Sequence, residues 1–326
     1  SIIIIKMNNM RLYETNRGVL TGRSVTLSDT TFHHKQKDKV VSSFNRYSVG
    51  VFYTWLISIF KEIFLPAGYP DSVSRDYLPY QKWDTLQAFT SSITNALAFS
   101  AILEGMGVGD EKASVLSATF VWLIKDGVGM FGRIMFAWLH GTDLDRNLKM
   151  WRFYADILND LATSIDLLAP YYKSLLLPIT CCSNLCRSLV GVAGGSTRAA
   201  LTQHQALNNN MGDVSAKDGS QETLVNLVAL ICNLFILKTI KQDRLLVWTL
   251  YVLLTCLHLY ANYRAIRTLN LKMFNWNRYV IATGYYFQHR IVPSIEFVNR
   301  TEPLLYEIRQ NITCNIGIEF RDHVDD

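Results

Sequence analysis

The chain has 326 residues, 49% hydrophobic content and a formal net charge of +5, which allows one large domain or two ordinary ones. It has no nucleic-acid-binding motif and no P-loop, dinucleotide, zinc-protease or hydrolase fingerprint. We therefore predict no nucleic-acid partner and no cofactor. Its 6 cysteines include no CxxC pair, so we expect reduced thiols and no metal site.

The first part of the chain differs in composition from the rest. Residues 1–48 are polar and basic, which predicts a poorly ordered segment that suits anionic lipid headgroups. Apolar residues recur at helical spacing over 49–65, but this stretch is too short for the roughly 30 Å of a bilayer core. It also contains Lys61 and Glu62, so we predict an interfacial helix, followed by a proline-rich loop that completes the segment 49–82.

The longest apolar stretches lie within residues 83–267 and predict an all-α, polytopic membrane helix bundle of about four to six spans. The first helix, Trp83 to Leu103, carries Ala or Ser at every fourth position along one face, which permits close helix packing. A polar loop is predicted from 196 to 222, and residues 268–326 are predicted to form a short soluble C-terminal tail. The other predicted helices cover residues 113–139, 154–169, 171–192, 224–240 and 245–263.

Charged residues interrupt two of these helices. Lys125 and Arg133 fall on nearly one face of the second helix, beside Asp126, and Asp156 and Asp160 form an acidic stripe on the third. Because an unpaired charge inside a membrane is costly, we predict that the basic and acidic stripes pair at the bundle centre. The pairs either hold two helices in register or form a polar path for an anionic solute or a proton; simple surface exposure is the third option.

A second candidate site lies in the run GVAGGSTRAALTQHQ, residues 191–205. Two glycines before Ser196, Thr197 and Arg198 predict a helix N-terminus at which backbone N–H groups and the arginine could bind an anion. The alternative is an ordinary turn with a hydroxyl N-cap. His204 is either a proton donor or a structural residue.

The polar run NNNMGDVSAKDGSQETL, residues 208–224, precedes a predicted span. Its Asp218 or Ser220 could cap a helix that begins near Gln221. A less conventional interpretation makes Lys217 a Schiff-base nucleophile, although the sequence shows no partner that would lower its pKa.

Several long runs, in the same order, strongly resemble the root UVB sensitive family: PDSVSRDYLPYQKWD, ATFVWLIKDGVGMFGRI, WRFYADILNDLA, GGSTRAALTQHQA and NNMGDVSAKDGSQETL. The resemblance covers about 45 to 300 and implies a helical membrane protein that works in complexes with other family members. Plant members are associated with root responses to ultraviolet B, auxin transport and vitamin B6 balance. No catalytic residues are established for the family, so none are carried over. Beyond about Leu305 the sequence departs from the pattern, which predicts a shortened or divergent C-terminal region.

Taken together, these patterns favour a membrane transporter, or a transport-associated factor, for a small polar and anionic metabolite. One alternative is a non-catalytic membrane scaffold that binds family members, and another is an intramembrane enzyme that uses His204, Lys217 or Asp218. We predict no catalytic residues. The predicted ligand-binding residues are Lys125, Asp126, Arg133, Asp156, Asp160, Ser196, Thr197, Arg198, His204, Lys217 and Asp218.

Overall fold

The computed structural model describes residues 2–5, 11–16, 19–26, 53–107, 115–240, 243–306 and 308. The chain divides into two compact units, Ser1–Ile59 and Phe60–Asp326, which are described separately.

The first unit contains three strands, β1 (Ile2–Ile5), β2 (Arg11–Asn16) and β3 (Val19–Thr26), which pair antiparallel in the order β1-β2-β3. The sequence analysis predicted no strands here, although β1 and β3 are rich in the β-branched residues that favour strands. Most of residues 1–48 lies outside the described part of the chain, so the poor order predicted for this segment stays a prediction.

The remaining described elements are helical. A first helix, α1, covers residues 53–64, and its place at a membrane interface stays a prediction. Two of the helices lie within residues 268–326, the predicted soluble C-terminal tail, for which no element was predicted from the sequence. The bounds are α2 (Tyr77–Gly105), α3 (Val115–His140), α4 (Leu148–Asp166), α5 (Leu176–Gln205), α6 (Met211–Ile240), α7 (Arg244–Thr268), α8 (Trp276–His289) and α9 (Ile295–Thr301), with a 3-10 turn at Lys173–Leu175.

Four helices are long and apolar enough to cross a membrane: α2, α5 with its preceding turn, α6 and α7. This is the lower end of the predicted number of spans. The polar loop predicted over 196–222 is wrong, because α5 continues to Gln205 and α6 begins at Met211. Hydroxyl groups in this stretch bond back to carbonyls of their own helix, as Thr197 does to Ala193, so they do not end it.

Helix α4 lies inside the bundle. It packs against α2, α5 and α7, and Leu161 is its one exposed residue. The outer helices show the opposite pattern. Phe131, Ile134 and Trp138 of α3 and Phe235 of α6 are each at least 65% exposed, an apolar surface of the kind that a bilayer or another protein covers.

Helices α2 and α7 run antiparallel, which gives the bundle two distinct ends. Tyr80, near the start of α2, packs with Leu148, Leu201 and Leu269 at one end. This end, which we call the motif end, contains the starts of α2, α4 and α6 and the ends of α5 and α7. At the opposite end, Ala101 belongs to a cluster with the end of α4, the end of α6 and residues early in α7.

Glycines allow α3 to approach α5 closely. A methyl group at Gly132 would lie 2.4 Å from Leu185 Cδ1 and 2.8 Å from Ser188 Oγ, and one at Gly129 would lie 2.3 Å from Asn184 Nδ2. By contrast, within the described residues nothing lies within 4 Å of the same position at Gly127, so this glycine provides a matched control.

We expect Gly132→Ala to lower the free energy of unfolding by about 1 to 3 kcal/mol, because α5 must move or repack to admit the methyl group. Gly127→Ala should leave the free energy unchanged or raise it slightly, since alanine favours the helix over glycine. Thermal unfolding of both variants in detergent measures the difference. Equal stability of the two would contradict the close packing of α3 on α5.

Candidate functional site

A buried hydrogen-bonded network lies at the centre of the bundle, where α2, α4 and α7 meet. The Gln87 amide nitrogen donates to Asp156 Oδ2 (2.9 Å) and lies 3.1 Å from His258 Nε2. His258 Nδ1 lies 2.9 Å from Asp160 Oδ2. Because the amide nitrogen only donates, His258 Nε2 accepts and its Nδ1 carries the proton donated to Asp160. His258 is completely buried.

Polar contacts continue from this centre toward the motif end. Arg152, one turn before Asp156 on α4, forms a salt bridge with Asp84 (2.9 Å). The Tyr80 hydroxyl donates to the same carboxylate oxygen of Asp84 (3.0 Å). Because Arg152 forms its salt bridge with Asp84, no arginine among the described residues forms a salt bridge with Asp156.

The contacts also continue toward the opposite end. The Tyr251 hydroxyl donates to the backbone carbonyl of Asp160 (2.7 Å) and lies 2.6 Å from Ser164 Oγ. One turn further, Arg187 of α5 pairs with Asp166 (2.5 Å) and donates to Asn95 Oδ1 (3.2 Å). From Arg152 to Asp166 the polar face of α4 extends about 21 Å, a large part of a bilayer core of roughly 30 Å.

The charges along this face do not balance. Asp84 and Asp166 each form a salt bridge with an arginine, whereas among the described residues Asp160 contacts only the His258 imidazole as a basic partner and Asp156 contacts the Gln87 amide. Asp160 Oδ1 is buried without a hydrogen-bond partner in the described part of the chain. The buried Asp160 and the partly buried Asp156 thus lie near one imidazole, where charged side chains interact strongly.

The predicted pairing of the basic stripe on α3 with the acidic stripe on α4 is wrong. Lys125 Nζ lies 3.8 Å from Asp126 and 3.6 Å from the centre of the Trp122 ring, and Arg133 is exposed. Helix α3 packs on α5, while Asp156 and Asp160 face α2 and α7. Of the residues predicted for this site, the two aspartates belong to the central network, whereas Lys125 pairs with Asp126 outside it and Arg133 is exposed.

The sequence analysis missed Gln87 and His258. His258 is the one histidine in the apolar stretch 245–263, which is the pattern that could have identified it. Gln87 gave no comparable signal, because a single amide in an otherwise apolar and hydroxyl-rich helix has many ordinary roles.

The three polar runs singled out in the sequence meet at the motif end. Arg198 pairs with Asp218 (2.5 Å) and Glu222 (2.6 Å), and the Gln81 amide donates to Asp218 (3.0 Å). Asp218 therefore joins α2, α5 and α6. The capping role predicted for it is wrong, because it lies inside α6 and binds side chains of two other helices.

The anion site predicted at a helix N-terminus is also wrong. Ser196, Thr197 and Arg198 lie in the interior of α5, where the helix uses the backbone N–H groups itself. Two carboxylates already neutralise the Arg198 guanidinium. Lys217 donates to the backbone carbonyl of Glu62 (2.5 Å), which gives no support to a nucleophilic role.

Asp76 joins three segments at the motif end. It binds His204 Nε2 (2.9 Å) of α5, accepts the backbone N–H of Asn270 (2.8 Å) after α7, and accepts the Ser74 hydroxyl. Burial would raise the pKa of Asp76, but these hydrogen bonds outweigh it and lower the pKa to about 2. His204 is thus a partner that fixes a loop.

A second buried charge cluster joins the start of α4 to α8 and α9. Lys149 lies 3.4 Å from Glu302 and donates to Asn299 Oδ1 (2.8 Å), and Arg278 lies 3.6 Å from Glu302. All three charged residues are at most 3% exposed. Burial lowers the pKa of Lys149 to about 8, against the attraction of Glu302. Two cations therefore share the one carboxylate that the described residues place here.

Comparisons with known proteins cover most of the chain. Residues 53–290 match the model of a family described as the vitamin B6 photo-protection and homoeostasis domain. The chain is 46% identical over 265 residues to RUS family member 1 of Dictyostelium discoideum, which covers 80% of this chain and 50% of that protein. It is 41% identical over 244 residues to protein root UVB sensitive 3 of Arabidopsis thaliana, covering 75% and 56%. The chain thus spans about half the length of these relatives. No solved structure matches it significantly.

Glu302→Gln should cost more stability than Lys149→Met. The first change leaves Lys149 and Arg278 buried without an anion, which we expect to cost about 3 to 5 kcal/mol. The second keeps the Arg278–Glu302 pair and replaces a buried lysine by an apolar side chain of similar volume, so the loss should be smaller. Thermal unfolding in detergent near neutral pH compares them, and the reverse order would contradict the charge imbalance in this cluster.

Asp76→Asn should remove a pH-dependent part of the stability. Since the folded pKa of about 2 lies below the ordinary 3.8, the ionised Asp76 stabilises the fold above 3.8 and loses this effect as pH falls toward 2. We expect the variant to lose about 2 kcal/mol at neutral pH and the gap to the parent to close in acid. The free energy of unfolding of both proteins, measured as a function of pH, tests this prediction. Asp71→Asn, at an exposed position, is the control and should show no gap.

Proposed function

The chain belongs to the root UVB sensitive family, and on that premise we propose that it is a membrane transporter, or a transport-associated factor, in vitamin B6 homoeostasis. Its solute would be a small polar, anionic or zwitterionic metabolite. The family description supplies the link to vitamin B6. The observation that carries the proposal is the polar face of α4, enclosed by helices α2, α5 and α7.

The arrangement of charges supports transport more than packing alone. A protein that needs α4 only as a structural helix gains little from two carboxylates inside the bundle with one imidazole near them, since each charge removed from water costs free energy. A change in the protonation of Asp156 or His258 would instead alter how tightly α4 binds α2 and α7. Proton exchange at this centre would then be coupled to movement of the solute along α4.

One observation favours a second candidate, a scaffold that binds another family member. The exposed apolar face of α3, with Phe131, Ile134 and Trp138, offers a surface that a partner helix could cover. The two candidates place their essential residues on different helices, so the same variants separate them.

We expect Asp160→Asn and His258→Gln to abolish transport while leaving the fold intact, because each nearly keeps the side-chain size and removes the carboxylate or the imidazole of the central network. Purified protein in liposomes would be tested for uptake of pyridoxal and pyridoxal 5′-phosphate, with a pH-sensitive dye inside the vesicles. Asp126→Asn is the matched control, since Asp126 is exposed on α3 and contacts neither aspartate of α4. We expect it to transport like the parent.

Uptake and proton flux that survive both changes would overturn the role of the α4 centre. A parent protein that moves neither vitamer nor protons, yet is captured by a second family member through α3, would favour the scaffold. Substitution of Trp138 by serine should then abolish capture, whereas Asp160→Asn should not affect it.

A further inference from the structure

A second polar cavity lies away from the α4 centre, where the end of α7 meets α9. It has a volume of about 540 Å³ and is open to solvent. We call it the arginine pocket, because its lining includes three arginines and one carboxylate. The lining residues are Tyr263, Arg264, Arg267, Thr268, Asn270, Glu296 and Arg300.

Two of the arginines are held in place by contacts that leave positive charge facing the cavity. The Arg264 guanidinium lies 4.7 Å from the centre of the Trp83 ring and donates to the Tyr260 hydroxyl (2.9 Å). Arg267 donates from Nη1 to the backbone carbonyls of Arg300 (2.7 Å) and Glu302 (2.9 Å). None of these partners is a carboxylate side chain, so these contacts hold Arg264 and Arg267 in place without neutralising their charges.

The described lining residues carry more positive than negative charge, which favours binding of an anion. The one carboxylate among its described lining residues, Glu296, lies 3.5 Å from Arg300 and pairs with it, so within the described residues the charges of Arg264 and Arg267 are not balanced. Arg267 Nε is buried and has no hydrogen-bond partner among the described residues. A guanidinium that lacks a carboxylate partner is one that an anion in the cavity would stabilise.

We propose that the arginine pocket binds a phosphate monoester group at the membrane surface, carried by an anionic phospholipid. Planar guanidinium groups donate paired hydrogen bonds to phosphate oxygens, and several together select a doubly charged phosphate over a carboxylate. The lipid source follows from position: α7 is one of the membrane-length helices, and the pocket lies at its end. Tyr263 lines the pocket, and Trp83 and Tyr260 contact Arg264, which gives this place the aromatic residues common at membrane interfaces. This step rests on the membrane insertion proposed above.

The test measures binding and does not depend on transport. Purified protein in detergent is titrated with short-chain phosphatidic acid, with short-chain phosphatidylcholine and with inorganic phosphate. We expect phosphatidic acid to bind and phosphatidylcholine not to bind. Arg264→Gln and Arg300→Gln should each weaken phosphatidic acid binding by about tenfold or more, the loss expected for a charge-assisted hydrogen bond. Glu296→Gln should strengthen it, because it removes the competing carboxylate.

Arg290→Gln is the matched control, since it removes the same charge from an exposed position outside the lining. Equal binding by Arg264→Gln and Arg290→Gln would overturn the pocket as the site, because the loss would then reflect net charge alone. Inorganic phosphate that binds as tightly as phosphatidic acid, and is lost in the same variants, would overturn the lipid source and assign the pocket to a soluble phosphate. Unchanged unfolding temperatures in all variants show that a loss of binding is not a loss of fold.

Discussion

The need to satisfy the polar side chains of α4 inside an apolar bundle determines how the other helices are arranged. A buried polar group without a partner costs more than most single packing contacts provide, so each polar residue of α4 requires a matching group on a neighbour. Gln87 on α2, Arg187 on α5 and His258 on α7 are those groups. The three partner helices can lie beside α4 only in the rotation and register that bring these residues to it. Apolar packing then adds stability to an arrangement that hydrogen bonds have already specified.

The same reasoning accounts for the different character of the outer helices. Helix α3 meets α5 through glycines and touches Trp151 of α4 through Phe136 and His140, while its outer face and that of α6 expose several large apolar residues. These surfaces have no polar requirements, so they suit lipid or a protein partner. Charge is instead collected at the motif end, where Asp76, Asp218 and Glu302 each join two or more segments. The polar runs that stand out in the sequence thus mainly connect helices to one another through hydrogen bonds and salt bridges. The arginine pocket beside them has positive charge that the described lining residues do not neutralise.

The sequence predicted the helical class, the membrane-length helices and the acidic face of α4 because these depend on periodicity and composition within single segments. The sequence predictions were wrong where the structure depends on which helices pack against each other. Lys125 and Asp156 lie on helices adjacent in the chain, but α5 packs between those helices and α4 draws its partners from α2 and α7. The glycines before Ser196 indicated a helix start, yet the helix runs through them because its neighbours hold it on both sides. The strands within residues 2–26 are short, and their pattern was hidden by the basic charge of the segment.

The position of the Gln87 amide has a consequence for how the central group can take up protons. One nitrogen contacts both Asp156 and His258 Nε2, so both neighbours must act as acceptors. A proton arriving on His258 Nε2 turns that atom into a donor, and the amide must rotate to offer its oxygen. The oxygen then also faces Asp156, where it is repelled unless that carboxylate holds a proton too. While the amide keeps both contacts, the two neighbours are either both acceptors or both donors. A single glutamine thus links the hydrogen-bonding states of Asp156 and His258, because a proton on His258 Nε2 breaks one of the two amide contacts unless Asp156 is protonated as well.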